Sequence, residues 1–134
     1  MMYFKLISFI LGGVFGGFGA WAFWDPKSWT NFLVRKVWLE GNPVVLMIFF
    51  FVHLALAMIG WVLSFRVYRQ PYAYIVSGFL TLGTIKLGVI LPVYKSFRQA
   101  VILLLTKETM SRIIFMALSL LLGSGMIFLS ILIR

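Results

Sequence analysis

Along most of this chain apolar residues neither alternate with polar ones nor recur only at helical intervals; they run on. Four such stretches, Tyr3–Trp24, Pro43–Phe65, Pro71–Tyr94 and Ile113–Ile133, hold almost no charge, and the segments between them hold nearly all of it. A helix of about 20 apolar residues, rising 1.5 Å per residue, crosses a hydrocarbon core of roughly 30 Å and satisfies its own backbone there. The pattern therefore predicts four transmembrane helices. The first stretch, with Lys5 near its start, an apolar run after it and Ala20-Trp21-Ala22 near its end, has the outline of a secretory signal. Its apolar run is longer than the core of such signals, so it is expected to stay as an uncleaved span.

The connections differ in kind. Only Arg66-Val67-Tyr68-Arg69-Gln70 separates the second stretch from the third, which requires a tight antiparallel hairpin. Tyr68, Tyr72 and Tyr74 surround Arg66 and Arg69 at its tip, a composition suited to a headgroup boundary. The other two connections, residues 25–42 and 95–112, are 18 residues each. In the first, Asp25 is a candidate N-cap and Pro26 a first helical residue, so a short interfacial helix is expected from about Pro26 to Glu40. In the second, the run Ala100–Leu105 is too short to cross a bilayer and is expected on its surface. The expected fold is an all-α integral membrane protein, residues 1–134 forming one four-helix transmembrane domain.

Composition narrows the function. The chain is 63% hydrophobic and 11% charged, against about 25% charged in a soluble domain. It has no cysteine, so thiolate metal sites, iron–sulfur ligation and a thiol nucleophile are excluded. Asp25, Glu40 and Glu108 are all the acids it has, none of them in an apolar stretch, and His53 is its single histidine. No catalytic carboxylate pair, metal site or cofactor site is expected, and a non-enzymatic role follows. The net charge of +9 comes from Lys and Arg that mostly flank the spans, where such residues set topology and meet anionic lipid rather than nucleic acid. Lys27, Arg35, Lys36, Lys95, Arg98, Lys107 and Arg112 on the long-loop side outnumber Lys5, Arg66, Arg69 and Arg134 on the other. This bias sets the long loops toward the cytoplasm, as in a bacterial inner membrane or an equivalent energy-transducing membrane.

Helices in lipid associate where small residues let their backbones approach. His53, Ala57, Gly60 and Ser64 form one such row, and Ser77, Thr81, Thr84 and Gly88 another. Paired as Ser64 with Ser77, Gly60 with Thr81, Ala57 with Thr84 and His53 with Gly88, they are equidistant from the hairpin centre between Gln70 and Pro71. In the first span Gly12, Gly16 and Gly19 make one row, and Gly13, Gly17 and Ala20 a second beside it, enough for two close neighbours. The fourth span offers Ser119, Gly123 and Ser130.

Two polar residues interrupt the later spans. Lys86, whose burial at a helix centre costs about 2.5–3.5 kcal/mol, lies roughly 160° around its helix from the hairpin seam, toward the first span, the fourth or another subunit. It can snorkel beside Tyr94 and Lys95, pair with a carboxylate of a partner subunit, or bind an anionic substrate or lipid headgroup. His53 is expected to stay neutral inside the seam, bonded to Thr84 or to a carbonyl near Gly88. Together these features point to a non-catalytic subunit of a larger membrane complex, such as a secretion, translocation or energy-transducing machine. Its partners would be other membrane subunits and anionic lipids, met through Lys86, Arg66, Arg69 and the small-residue rows. The alternative is a small homo-oligomeric channel or transporter for a neutral or anionic solute.

Overall fold

The computed structural model describes residues 1–39, 41–107 and 109–133; the expectations for Glu40, Glu108 and Arg134 fall outside them. The described chain is helical apart from short turns. Its elements are α1 (Met2–Trp24), α2 (Pro26–Phe32) running into a π-helical turn (Leu33–Val37), α3 (Val44–Arg66), α4 (Pro71–Ile90), a 3₁₀ turn (Leu91–Val93), α5 (Tyr94–Lys107) and α6 (Thr109–Leu132). Four helices are long and apolar enough to cross a membrane: α1, α3, the α4–α5 run and α6.

These helices form two pairs. The first and last, α1 and α6, pack antiparallel along their length, and α3 packs against α4 across the short turn that joins them. The α1–α6 contact is made by glycine. A Cβ on Gly12 would stand 2.6 Å from Ile127 Cγ1 and 2.8 Å from the Ile127 nitrogen, and one on Gly19 would stand 2.7 Å from Leu120 Cγ. Between them, Gly123 of α6 lies directly over the Gly16 backbone. Gly12 and Gly19 are thus consumed inside the chain, while Gly16 lends only its backbone, a Cβ there meeting nothing within 4 Å. Gly13, Gly17 and Ala20 remain exposed on its flank, and a Cβ on Gly13 or Gly17 would meet nothing within 4 Å.

The α3–α4 seam is polar near the hairpin tip. The Ser64 hydroxyl donates to the Gly60 carbonyl at 2.8 Å, so the 3.1 Å contact between Ser64 and Ser77 is a bond donated by Ser77. Trp61 Nε1 donates to Thr81 Oγ1 at 2.8 Å, and Thr81 in turn donates to the Ser77 carbonyl. Of the expected pairs, Ser64 with Ser77 is present, but Gly60 faces Ser77 rather than Thr81. Farther from the tip the expected register does not hold. Phe50, with no polar partner to seek, takes the notch at Gly88, its ring 3.3 Å from where a Cβ would be. The His53 imidazole lies instead on Gly83.

The two pairs meet at one end. Phe4 and Ile7 of α1 and Ile133 beyond α6 share a core with Ala57 of α3 and with Ala73, Val76 and Leu80 of α4. Tyr3 adds a polar tie, its hydroxyl donating to the Leu56 carbonyl at 2.7 Å. At the other end they are held apart by the connecting helices. Asp25 caps α2 through Ser28, as its position suggests, but the helix then widens to a π turn and stops at Trp38. The segment 95–112, expected as a loop with a surface helix, is helical through all its described residues, and α6 begins at Thr109. Pro92 does not end the third helix because it sits in a 3₁₀ turn, where its missing N–H costs one bond and the helix restarts at once.

A glycine-to-alanine change at Gly12 or Gly123 is expected to lower stability by about 1–3 kcal/mol, the usual cost of overpacking, because each new methyl meets backbone. The same change at Gly13 should leave it unaltered. Unfolding of the three variants in mixed micelles checks both expectations.

Candidate functional site

Where the pairs part, a partly open cavity of about 340 Å³ lies between them. Phe15 of α1, Phe49 and His53 of α3, Gly83, Lys86 and Leu87 of α4, and Phe115 of α6 form its sides. Its roof is the connecting layer: Trp29 and Leu33 from α2 and its π turn, and Phe97, Val101 and Leu105 from α5.

The roof is fastened through backbone carbonyls that the π turn leaves without helical partners. Tyr94 donates its hydroxyl to the Leu39 carbonyl at 2.6 Å, and Arg98 Nε donates to the Trp38 carbonyl at 2.8 Å. The Trp38 indole stacks on Tyr94 with ring centroids 6.1 Å apart and packs against Phe97 at 5.6 Å. On the other side Leu105 joins Trp29 and Ala22 in a small core. An unpaired carbonyl at this depth costs as much as a lost hydrogen bond or more, so these side chains hold α5 down as well as completing the turn.

Two polar side chains face the cavity. His53 Nδ1 lies 2.9 Å from the Phe49 carbonyl, one turn back on its own helix, and a carbonyl can only accept. The proton is therefore on Nδ1, and in the neutral ring Nε2 presents a lone pair. This bond replaces the expected one to Thr84, whose hydroxyl donates to Leu80 in its own helix. Nε2 lies 3.4 Å from the Cβ position of Gly83. Lys86 stands three residues farther along α4, hence one turn away on the same side. It has neither a hydrogen bond nor an ion pair among the described residues, and Tyr94, its expected companion at the interface, is committed to Leu39. Lys86 is exposed and borders this cavity, whose other walls include Phe15 of α1 and Phe115 of α6.

The other residues singled out in the sequence lie elsewhere. Arg66 and Arg69 are exposed at the hairpin tip, the opposite end of α3 and α4, with Arg69 Nε donating to the Phe65 carbonyl at 3.4 Å. Ala57, Gly60, Ser64 and Ser77 are buried, Thr81, Thr84 and Gly88 half-buried, and Ala57, Thr81 and Thr84 edge a shallow lateral hollow. Gly123 is buried against α1 and Ser119 half-buried. Sequence reasoning missed Trp29 and the Trp38–Tyr94–Phe97–Arg98 latch. The available signal was two aromatic clusters at matching places after the first and third spans. No group of three or more potential metal ligands occurs among the described residues.

Replacing Gly83 with valine should push the imidazole off Gly83 and break its bond to Phe49, whereas valine at Gly78, where a Cβ meets nothing within 4 Å, should not. The ¹⁵N shifts of the His53 ring check this, with the Nδ1–H form expected in the parent and in Gly78→Val only. In comparison with known proteins, no family model, no curated protein and no solved structure matches this chain.

Proposed function

We propose that the protein is a non-catalytic membrane subunit that works by lateral association with other membrane proteins. The observation that carries this reading is the uncovered row Gly13, Gly17 and Ala20. A bare backbone face on a helix long enough to span the membrane is a contact surface for another helix, because small residues let two backbones close to packing distance. The chain's own fourth helix uses only the neighbouring row. In this reading the partners are other subunits of a hetero-oligomer in an energy-transducing membrane, with the long connections toward the cytoplasm. The connecting helices α2 and α5 then lie at that membrane surface, and Arg66 and Arg69 at the hairpin tip meet anionic headgroups on the other.

Gentle detergent extraction from the native membrane, followed by sizing and mass identification, tests it. Unrelated subunits should travel with the chain, and Gly17→Leu should release them while leaving the chain's own unfolding unchanged. A chain that travels alone or only with copies of itself sinks the reading.

A second reading is favoured by the cavity. A small channel or carrier for a neutral or anionic solute would use Lys86 to repel cations and to attract the cargo, with His53 beside it. Liposomes containing the purified protein should then pass small anions in preference to cations, and Lys86→Met should reduce that passage at least tenfold. Equal cation and anion flux, or none, would remove this reading.

A further inference from the structure

The cavity beside Lys86 differs from a solute pore in the balance of its walls, and that balance points to an occupant. We propose that it binds the anionic headgroup of a single-chain amphiphile drawn from the bilayer, a phosphate or carboxylate seated on Lys86 with its hydrocarbon chain against the aromatic sides. The inference deepens the second reading, sharing its cavity, but it requires binding and not passage.

Four observations support it. First, Lys86 is a charge without a counter-charge among the described residues, and the chain's acids all lie outside the spans. Lys86 is exposed at the edge of the cavity, and its ammonium attracts an anion that brings its own negative charge to it. Second, its place in the cavity suits a headgroup. Lys86 precedes the end of α4 at Ile90 by four residues, about 6 Å at 1.5 Å per residue, so it sits near the roofed end of the cavity. Third, an acceptor belongs to the wall. Anionic oxygen accepts from the ammonium, while His53 Nε2, a lone pair, accepts from a hydroxyl such as that of a singly protonated phosphate ester. Fourth, the remaining lining is apolar: Phe15, Phe49, Leu87, Phe97 and Phe115 among others. A free hydrated anion would lose its water there against a single cation, whereas an alkyl chain gains from the same walls. The volume of about 340 Å³ is within the roughly 300–1,000 Å³ of small-ligand sites.

The test uses the full chain in nanodiscs of phosphatidylcholine, titrated with dodecyl phosphate, dodecanol or inorganic phosphate, with bound molecules counted by native mass spectrometry. One dodecyl phosphate per chain is expected, held at least tenfold more tightly than dodecanol or inorganic phosphate. Lys86→Met should weaken it at least tenfold and Lys86→Arg should restore it. Should Lys86→Met fail to fold, Val101→Trp, which fills the cavity from the roof and leaves Lys86 in place, is expected to abolish binding instead. Dodecanol binding as tightly as dodecyl phosphate, inorganic phosphate binding as tightly without a chain, or binding indifferent to Lys86→Met and to Val101→Trp would each overturn the proposal. Anion flux without dodecyl phosphate binding sinks this inference and spares the transport reading; binding without flux does the reverse.

Discussion

The contact of Gly123 with the Gly16 backbone is the point on which the rest of the structure turns. Between helices in lipid there is no hydrophobic gain to be had, since the surrounding chains are as apolar as leucine, and association must come from close packing and hydrogen bonds. Glycine on both sides brings α1 and α6 nearer than any side chain would allow, and Gly12 and Gly19 extend that approach by a turn in each direction. The first and last helices are thereby joined, and the central hairpin is left to pack as a separate unit against them.

That division explains the cavity. The α3–α4 pair is knit by hydroxyls and an indole near its tip, and the two pairs share a core only around Phe4, Leu80 and Ile133. At the other end the connections from α1 to α3 and from α4 to α6 need room, and they fold as helices laid across the gap. Their unpaired carbonyls at Trp38 and Leu39 are bonded by Arg98 and Tyr94, so the same bonds that satisfy the π turn also close the roof. A hollow under a fastened roof is the outcome.

What the hollow contains is chemically sparse and therefore specific. One ammonium and one imidazole lone pair border an otherwise apolar space. A different surface is the exposed Gly13–Gly17 face, where a Cβ would meet nothing within 4 Å. On the proposed readings the two surfaces make independent demands, one meeting a neighbouring helix and the other a ligand.

The sequence by itself determined the four spanning helices, because unbroken apolar runs of that length have no other way to satisfy their backbones in lipid. It also located small-residue positions where helices pack closely, at Gly12, Gly19, Gly123 and Ser64–Ser77, since these depend only on spacing around a helix. It did not locate the cavity, the partner of His53 or the continuation of the third helix past Tyr94. Those depend on which of two equally small faces a neighbour takes, on whether a phenylalanine or a histidine fills the notch at Gly88, and on side chains more than fifty residues apart meeting across the roof. Spacing fixes what a single helix presents; only the packed structure decides what is presented to it.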